Sequence, residues 1–179
     1  MNVIETNLPG VLLIEPDVHG DSRGFFLETF HERRYREEAG IDATFVQDNC
    51  SRSAQGVLRG LHFQISQPQG KLVFVTTGSV FDVAVDIDPE SETFRRWYGV
   101  ELSADNHRQL YIPPGYAHGF YVLSDFADFQ YKCTTFYAPN DEGGIRWDDP
   151  DIGIDWPLAD SAPRVSEKDQ NLPTLEQLI

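Results

Sequence analysis

KLVFVTTG (71–78) and VFDVAVDI (80–87) decide the fold class. Each is short, dense in β-branched and aromatic residues, and bounded by residues that interrupt regular structure, which is the composition of a strand. The same signal recurs upstream at VLLI (11–14), FFLETF (25–30), TFVQDN (44–49) and VLRGLHF (57–63), and downstream at WYGVEL (97–102), QLYI (109–112), HGFYVL (118–123) and DFQYKCTTFY (128–137). Only HERRYREEAG (31–40) carries charges at helical i,i+4 spacing, and Gly40 closes it as a C-cap. About ten strands without alternating helices predict an all-β chain, an antiparallel sandwich or barrel with one or a few short peripheral helices.

At 179 residues, 40% of them hydrophobic, the chain is long enough for one substantial core and too short for two ordinary domains, so 1–179 is read as a single domain. The 14 basic and 29 acidic residues leave a net charge of −15. That field repels polyanions and excludes sequence-independent attraction to nucleic acid or anionic membranes. An anionic small molecule stays admissible, because screening over about 8–10 Å lets a few Arg and Lys side chains dominate their own pocket. No apolar run reaches the roughly 20 residues that cross a bilayer. Two cysteines, Cys50 and Cys133, and a start (MNVIETNLPGVL) without the charged and apolar parts of a signal peptide predict a cytoplasmic protein with unpaired thiols.

Four segments carry residues suited to chemistry. In RGLHFQ (59–64), period-2 alternation puts Arg59, Leu61 and Phe63 on one face and Gly60, His62 and Gln64 on the other. His62 is then either a base in a partly dry cavity or a histidine satisfied in the core. In YIPPGYAHGF (111–120), a Pro-Pro-Gly turn precedes a strand that begins at His118. FQYKCTTFY (129–137) places Tyr131, Cys133 and Thr135 on one face, where Tyr131 can offer a phenolic proton. Arg23, Arg59 and Lys71 stand at or near strand ends, suited to phosphate oxygens or to ordinary surface ion pairs.

The glycine-bounded strand with His62 and the later turn with His118 resemble the two motifs of the cupin barrels. Many cupins hold a divalent metal on two histidines and a carboxylate of the first motif and one histidine of the second. Here the first motif reads His62-Phe63-Gln64 and Lys71 stands near the carboxylate's place, a poor donor set for a metal. The resemblance widens over nearly the whole chain: DSRGFFLETF (21–30), FVQDNCSRS (45–53), GVLRGLHFQ (56–64), QGKLV (69–73), LYIPPGYAHGFYVLSD (110–125), YKCTTFY (131–137), GGIRWDDPDIGIDWP (143–157) and SEKD (166–169) together resemble the dTDP-4-dehydrorhamnose 3,5-epimerase family of the cupin superfamily.

That resemblance implies a cupin-type antiparallel β-barrel or jelly roll, a nucleotide-sugar substrate and no cofactor or metal. It implies His62 as general base, paired with Asp169, and Tyr131 as general acid on the opposite face. It further implies that Arg23, Arg59 and Lys71 hold the diphosphate, that Gln47, Asn49, Phe25 and Glu28 bind the nucleotide, that His118 lies against the sugar, and that Tyr137 belongs to the same surface. Lys71 and His118 are both candidates to stabilise an enolate oxygen. The family's homodimer, with N-terminal strands crossing to the partner's sheet, is implied for Arg23 and Phe25. A relative that inverts one centre or shifts the ketone, a noncatalytic nucleotide-sugar binder and a metal-dependent oxygenase are the competing readings.

Overall fold

The computed structural model describes residues 1–159 and 161–178. Thirteen strands occur among them: β1 (Asn2–Glu5), β2 (Leu12–Glu15), β3 (Val18–Asp21), β4 (Gly24–Leu27), β5 (Gln47–Ala54), β6 (Leu58–Gln64), β7 (Lys71–Thr77), β8 (Ser79–Asp86), β9 (Trp97–Ser103), β10 (Gln109–Ile112), β11 (Tyr116–Val122), β12 (Phe126–Cys133) and β13 (Glu142–Gly144). Two α-helices accompany them, α1 (Glu32–Ala39) and the single turn α2 (Glu167–Gln170), with a 3-10 turn at Leu175–Gln177. α1 ends as its sequence predicts, on Gly40 at φ 68°. No helix among the described residues is long and apolar enough to cross a membrane.

The strands form an antiparallel six-stranded sheet in the order β1-β2-β10-β7-β12-β5, an antiparallel five-stranded sheet in the order β13-β6-β11-β8-β9, and a separate β3-β4 hairpin. The two large sheets face each other as a cupin-type jelly roll. Of the barrel or jelly roll expected, the jelly roll is what forms, with two open sheets, because among the described residues no ladder joins β1 or β5 to β9 or β13. Edge strand β13 is only three residues, Glu-Gly-Gly, too short to carry pairing further.

Side-chain alternation sorts each strand between the interior and an outer cover. On β8, Val80 and Ala84 enter the core between the sheets, while Val83 and Val85 pack outward against Ile145, Ile152, Trp156 and Leu175 of the C-terminal segment. On β7, Val73 and Val75 point inward and Leu72 packs outward with Tyr35 of α1. The sheets are joined at the centre by Phe120 of β11 stacked on Phe129 of β12, ring centroids 4.2 Å apart. Burying each such ring contributes about 2–3 kcal/mol.

On β6 the alternation breaks. The register pairs His118 with His62 but Phe120 with Arg59, so β6 gains one residue over β11 between these positions. Gly60 and Gly119 meet there: a Cβ built on Gly60 would lie 2.7 Å from the Cα of Gly119. Leu58 and Leu61, three residues apart, therefore both face the outer cover. Arg59 turns to the same side as His62, which corrects the strict alternation read from RGLHFQ.

Candidate active site

A cavity of about 600 Å³ opens between the two sheets. His62 on β6 and His118 on β11 line it from the five-stranded sheet, and Lys71 on β7 and Tyr131 on β12 from the six-stranded sheet. Arg59 and Asp169 also line it. The Phe120–Phe129 stack forms part of its apolar wall, and Phe129 also packs against the rings of His118 and Tyr131.

His62 Nε2 lies 2.8 Å from Asp169 Oδ1. Asp169 is buried and its second oxygen accepts the Gly60 N–H at 3.3 Å. Burial pushes this carboxyl up, but the bonds from His62, Gly60 and Ser166 outweigh it and hold the group below the ordinary aspartate value. The pair therefore joins an ionised carboxylate to an imidazole that remains partly open to the cavity. The SEKD segment (166–169) supplies the cap and most of α2, which carries Asp169 against β6.

Tyr131 faces this pair from the other sheet. Burial raises its phenol above the ordinary tyrosine value and nearby Cys133 adds to the rise, so the hydroxyl keeps its proton at neutral pH. Burial lowers Lys71, opposed by nearby Cys133, Asp82 and Glu142. His118 Nε2 is bound to the buried Asp82 at 2.9 Å. Burial holds His118 below its ordinary value of 6.5 despite Asp82, so the imidazole is neutral at pH 7.

Gln64, at the cupin motif's second histidine position, uses its amide on backbone: Nε2 donates to Gln67 O at 2.8 Å and Oε1 accepts from Ala138 N at 2.9 Å. It ties two loops at the cavity mouth. Among the described residues no three His, Cys, Asp or Glu side chains converge to hold a metal. Gln64→Leu keeps the volume but strands both backbone groups, so urea unfolding is expected to show a loss of about 2 kcal/mol. No loss of stability would mean the loops hold without it.

Residues 5–177 match the family described as dTDP-4-dehydrorhamnose 3,5-epimerase. The chain belongs to the dTDP-4-dehydrorhamnose 3,5-epimerase family. The Pseudomonas aeruginosa dTDP-4-dehydrorhamnose 3,5-epimerase is 56% identical over 170 residues, covering 95% of this chain and 93% of that one. The crystal structure of the Legionella pneumophila dTDP-6-deoxy-D-glucose-3,5-epimerase in complex with dTDP-4-keto-L-rhamnose superposes with a TM-score of 0.96 at 53% identity, covering 99% of this chain and 94% of that one. A 3'-monoepimerase from Streptomyces bikiniensis in complex with dTDP-quinovose shares the fold with a TM-score of 0.90 at 36% identity, over 97% of this chain and 89% of that one.

In this epimerase-family chain the remaining residues singled out in the sequence divide into two groups. Gln47 and Asn49 on β5 are bonded to each other at 2.9 Å, and Gln47 Oε1 accepts from the backbone of Tyr137, which lines the cavity. Arg23, Phe25 and Glu28 lie outside the cavity of their own chain: Arg23 is paired with Asp21, Phe25 is 62% exposed on the β3-β4 hairpin, and Glu28 is bonded to Arg34. Sequence reasoning missed Glu142, Arg164, Ser166 and Lys168, all of which line the cavity. Glu142 accepts from the Tyr137 hydroxyl at 2.8 Å and from Lys168. Ser166 and Lys168 stood within the SEKD segment already tied to Asp169, and the Ser-x-x-Asp spacing of a helix start was the signal for Ser166.

Proposed function

We propose that the chain inverts C3 and C5 of a dTDP-4-keto-6-deoxyglucose-type nucleotide sugar, giving dTDP-4-dehydro-L-rhamnose. One observation carries this reading: in a member of this epimerase family, a carboxylate-backed imidazole and a protonated phenol enter one cavity from opposite sheets.

A C4 ketone acidifies the hydrogens on C3 and C5, because the electron pair left on either carbon delocalises into the carbonyl as an enolate. With His62 Nε2–H donating to Asp169, the lone pair on Nδ1 takes the proton, and the carboxylate stabilises the imidazolium. The enolate oxygen needs a donor. Neutral His118, with Nε2 engaged by Asp82, has no second N–H to give, so the Lys71 ammonium is the better candidate. Tyr131 then returns a proton to the opposite face of the same carbon. One C–H bond breaks and one forms, and exchange with solvent resets imidazolium and phenolate.

Arg59 holds the diphosphate in this reading, with Lys71 given to the enolate oxygen rather than to the diphosphate, His118 lies against the sugar, and Gln47, Asn49 and Tyr137 border the nucleotide. Arg23 and Phe25 serve the site of a second copy, which suits their place outside their own cavity and the exposure of the β3-β4 hairpin. The working unit is thus a cytoplasmic homodimer. The route uses only groups of the protein, with no cofactor or metal.

The test is incubation of the 4-keto substrate in deuterated water. Label at both C3 and C5 is expected. The Streptomyces bikiniensis 3'-monoepimerase shows that this fold also serves a one-centre enzyme; label at one carbon would favour that reading, and no label would leave a noncatalytic binder.

A further inference from the structure

We propose that Ser166 is a positioning residue for the His62–Asp169 pair, aligning the carboxylate that orients the base. The inference rests on the function proposed above.

α2 is only four residues long, Glu167–Gln170, and an isolated turn of this length does not hold itself together in water. Its geometry has to come from its ends. Upstream, Arg164 is bridged to the start of β6: Leu58 N donates to Arg164 O at 3.0 Å and Arg164 N to Gly56 O at 2.7 Å. That clamp fixes where the segment enters but not how the turn is rotated. Ser166, extended at φ −65° and ψ 155°, supplies the rest. Its Oγ accepts the backbone N–H of Asp169 at 3.1 Å, and its carbonyl accepts the N–H of Gln170 at 2.9 Å.

The capped N–H belongs to the residue whose carboxylate meets His62. Gly60 N–H on Oδ2 and His62 on Oδ1 hold the Asp169 carboxylate, and the residue's carbonyl accepts from the turn's own end, at Asn171 and Leu172. Ser166 Oγ holds the amide on the other side of the Cα from which the carboxylate projects. Ser166 also helps keep this carboxyl in its ionised form. Removing the cap lets the turn rotate, and the imidazole then loses its orientation while the phosphate- and nucleotide-side residues stay in place.

Loss of an N-cap hydrogen bond is expected to lower kcat about five- to tenfold in Ser166→Ala, with KM and the Kd for dTDP within about twofold. Ser166→Thr keeps a hydroxyl cap and is expected to restore kcat to within about twofold. In an Asp169→Ala background the same Ser166→Ala change is expected to cost less than about twofold, because the group it aligns is gone. Additive losses in that double mutant, or a Ser166→Ala defect confined to KM or Kd, would overturn the assignment, the latter making Ser166 a ligand contact. Thermal unfolding of each variant separates a folding loss from a kinetic one: a kcat loss that follows the unfolded fraction also overturns it. If the parent chain itself gives no deuterium exchange, the functional reading fails; if the parent turns over and Ser166→Ala matches it, only this inference fails.

Discussion

His62→Ala is expected to lower kcat about 10³-fold, the range in which a positioned general base acts, while changing the Kd for dTDP by less than about threefold. In the proposed reading the two quantities separate because the base meets the sugar only as the C–H bond breaks, whereas the ligand is held by Arg59 and the residues around Tyr137. Steady-state kinetics and calorimetric titration with dTDP measure them on the same preparation. Alanine also removes a bond to the buried Asp169 carboxylate, leaving Gly60 N–H on its other oxygen, so some stability is lost as well. His62→Asn is the companion variant that retains an amide donor while lacking a base of useful strength. A kcat loss below tenfold in both variants would remove His62 from the chemistry.

Tyr131→Phe is expected to divide the reaction in two. The enolate still forms, since His62, Asp169 and Lys71 are intact, so solvent deuterium continues to enter at a rate within about tenfold of the parent. Delivery of a proton to the far face loses its donor, and net inversion is expected to fall about 10²-fold. Mass spectrometry of recovered substrate reads the exchange and separation of the epimers reads the inversion. Equal loss of both would mean that Tyr131 acts in enolate formation, or merely in packing beside Phe129, and not as the acid.

Much of the site was legible because its parts sit on strong local signals. Strand composition located β7 to β12 within a few residues, with β10 at 109–112 matching throughout. The weak elements were those with little hydrophobic signature: β1, β3 and β13 are exposed or glycine-containing edges whose pairing depends on neighbours far along the chain. Composition starts β5 at Thr44, three residues early, since Thr44, Phe45 and Val46 have strand composition yet precede the first ladder partner, Gln47.

The amino-acid order alone determined the all-β class and the helix ending at Gly40, since these follow from composition, alternation and capping, and through the family resemblance it offered candidates for moving a proton. Tertiary structure decided which of them share a hollow. Arg59 joins His62 only because Gly60 and Gly119 let two backbones approach within a distance that a Cβ forbids, adding a residue to β6. Asp169 reaches His62 across 107 positions of chain through a one-turn helix whose cap is local but whose clamp, Arg164 on Gly56 and Leu58, is a long-range backbone contact. Periodicity within a strand reports which side a residue faces, but pairing between strands and the path of the tail are fixed by packing, which no local pattern encodes.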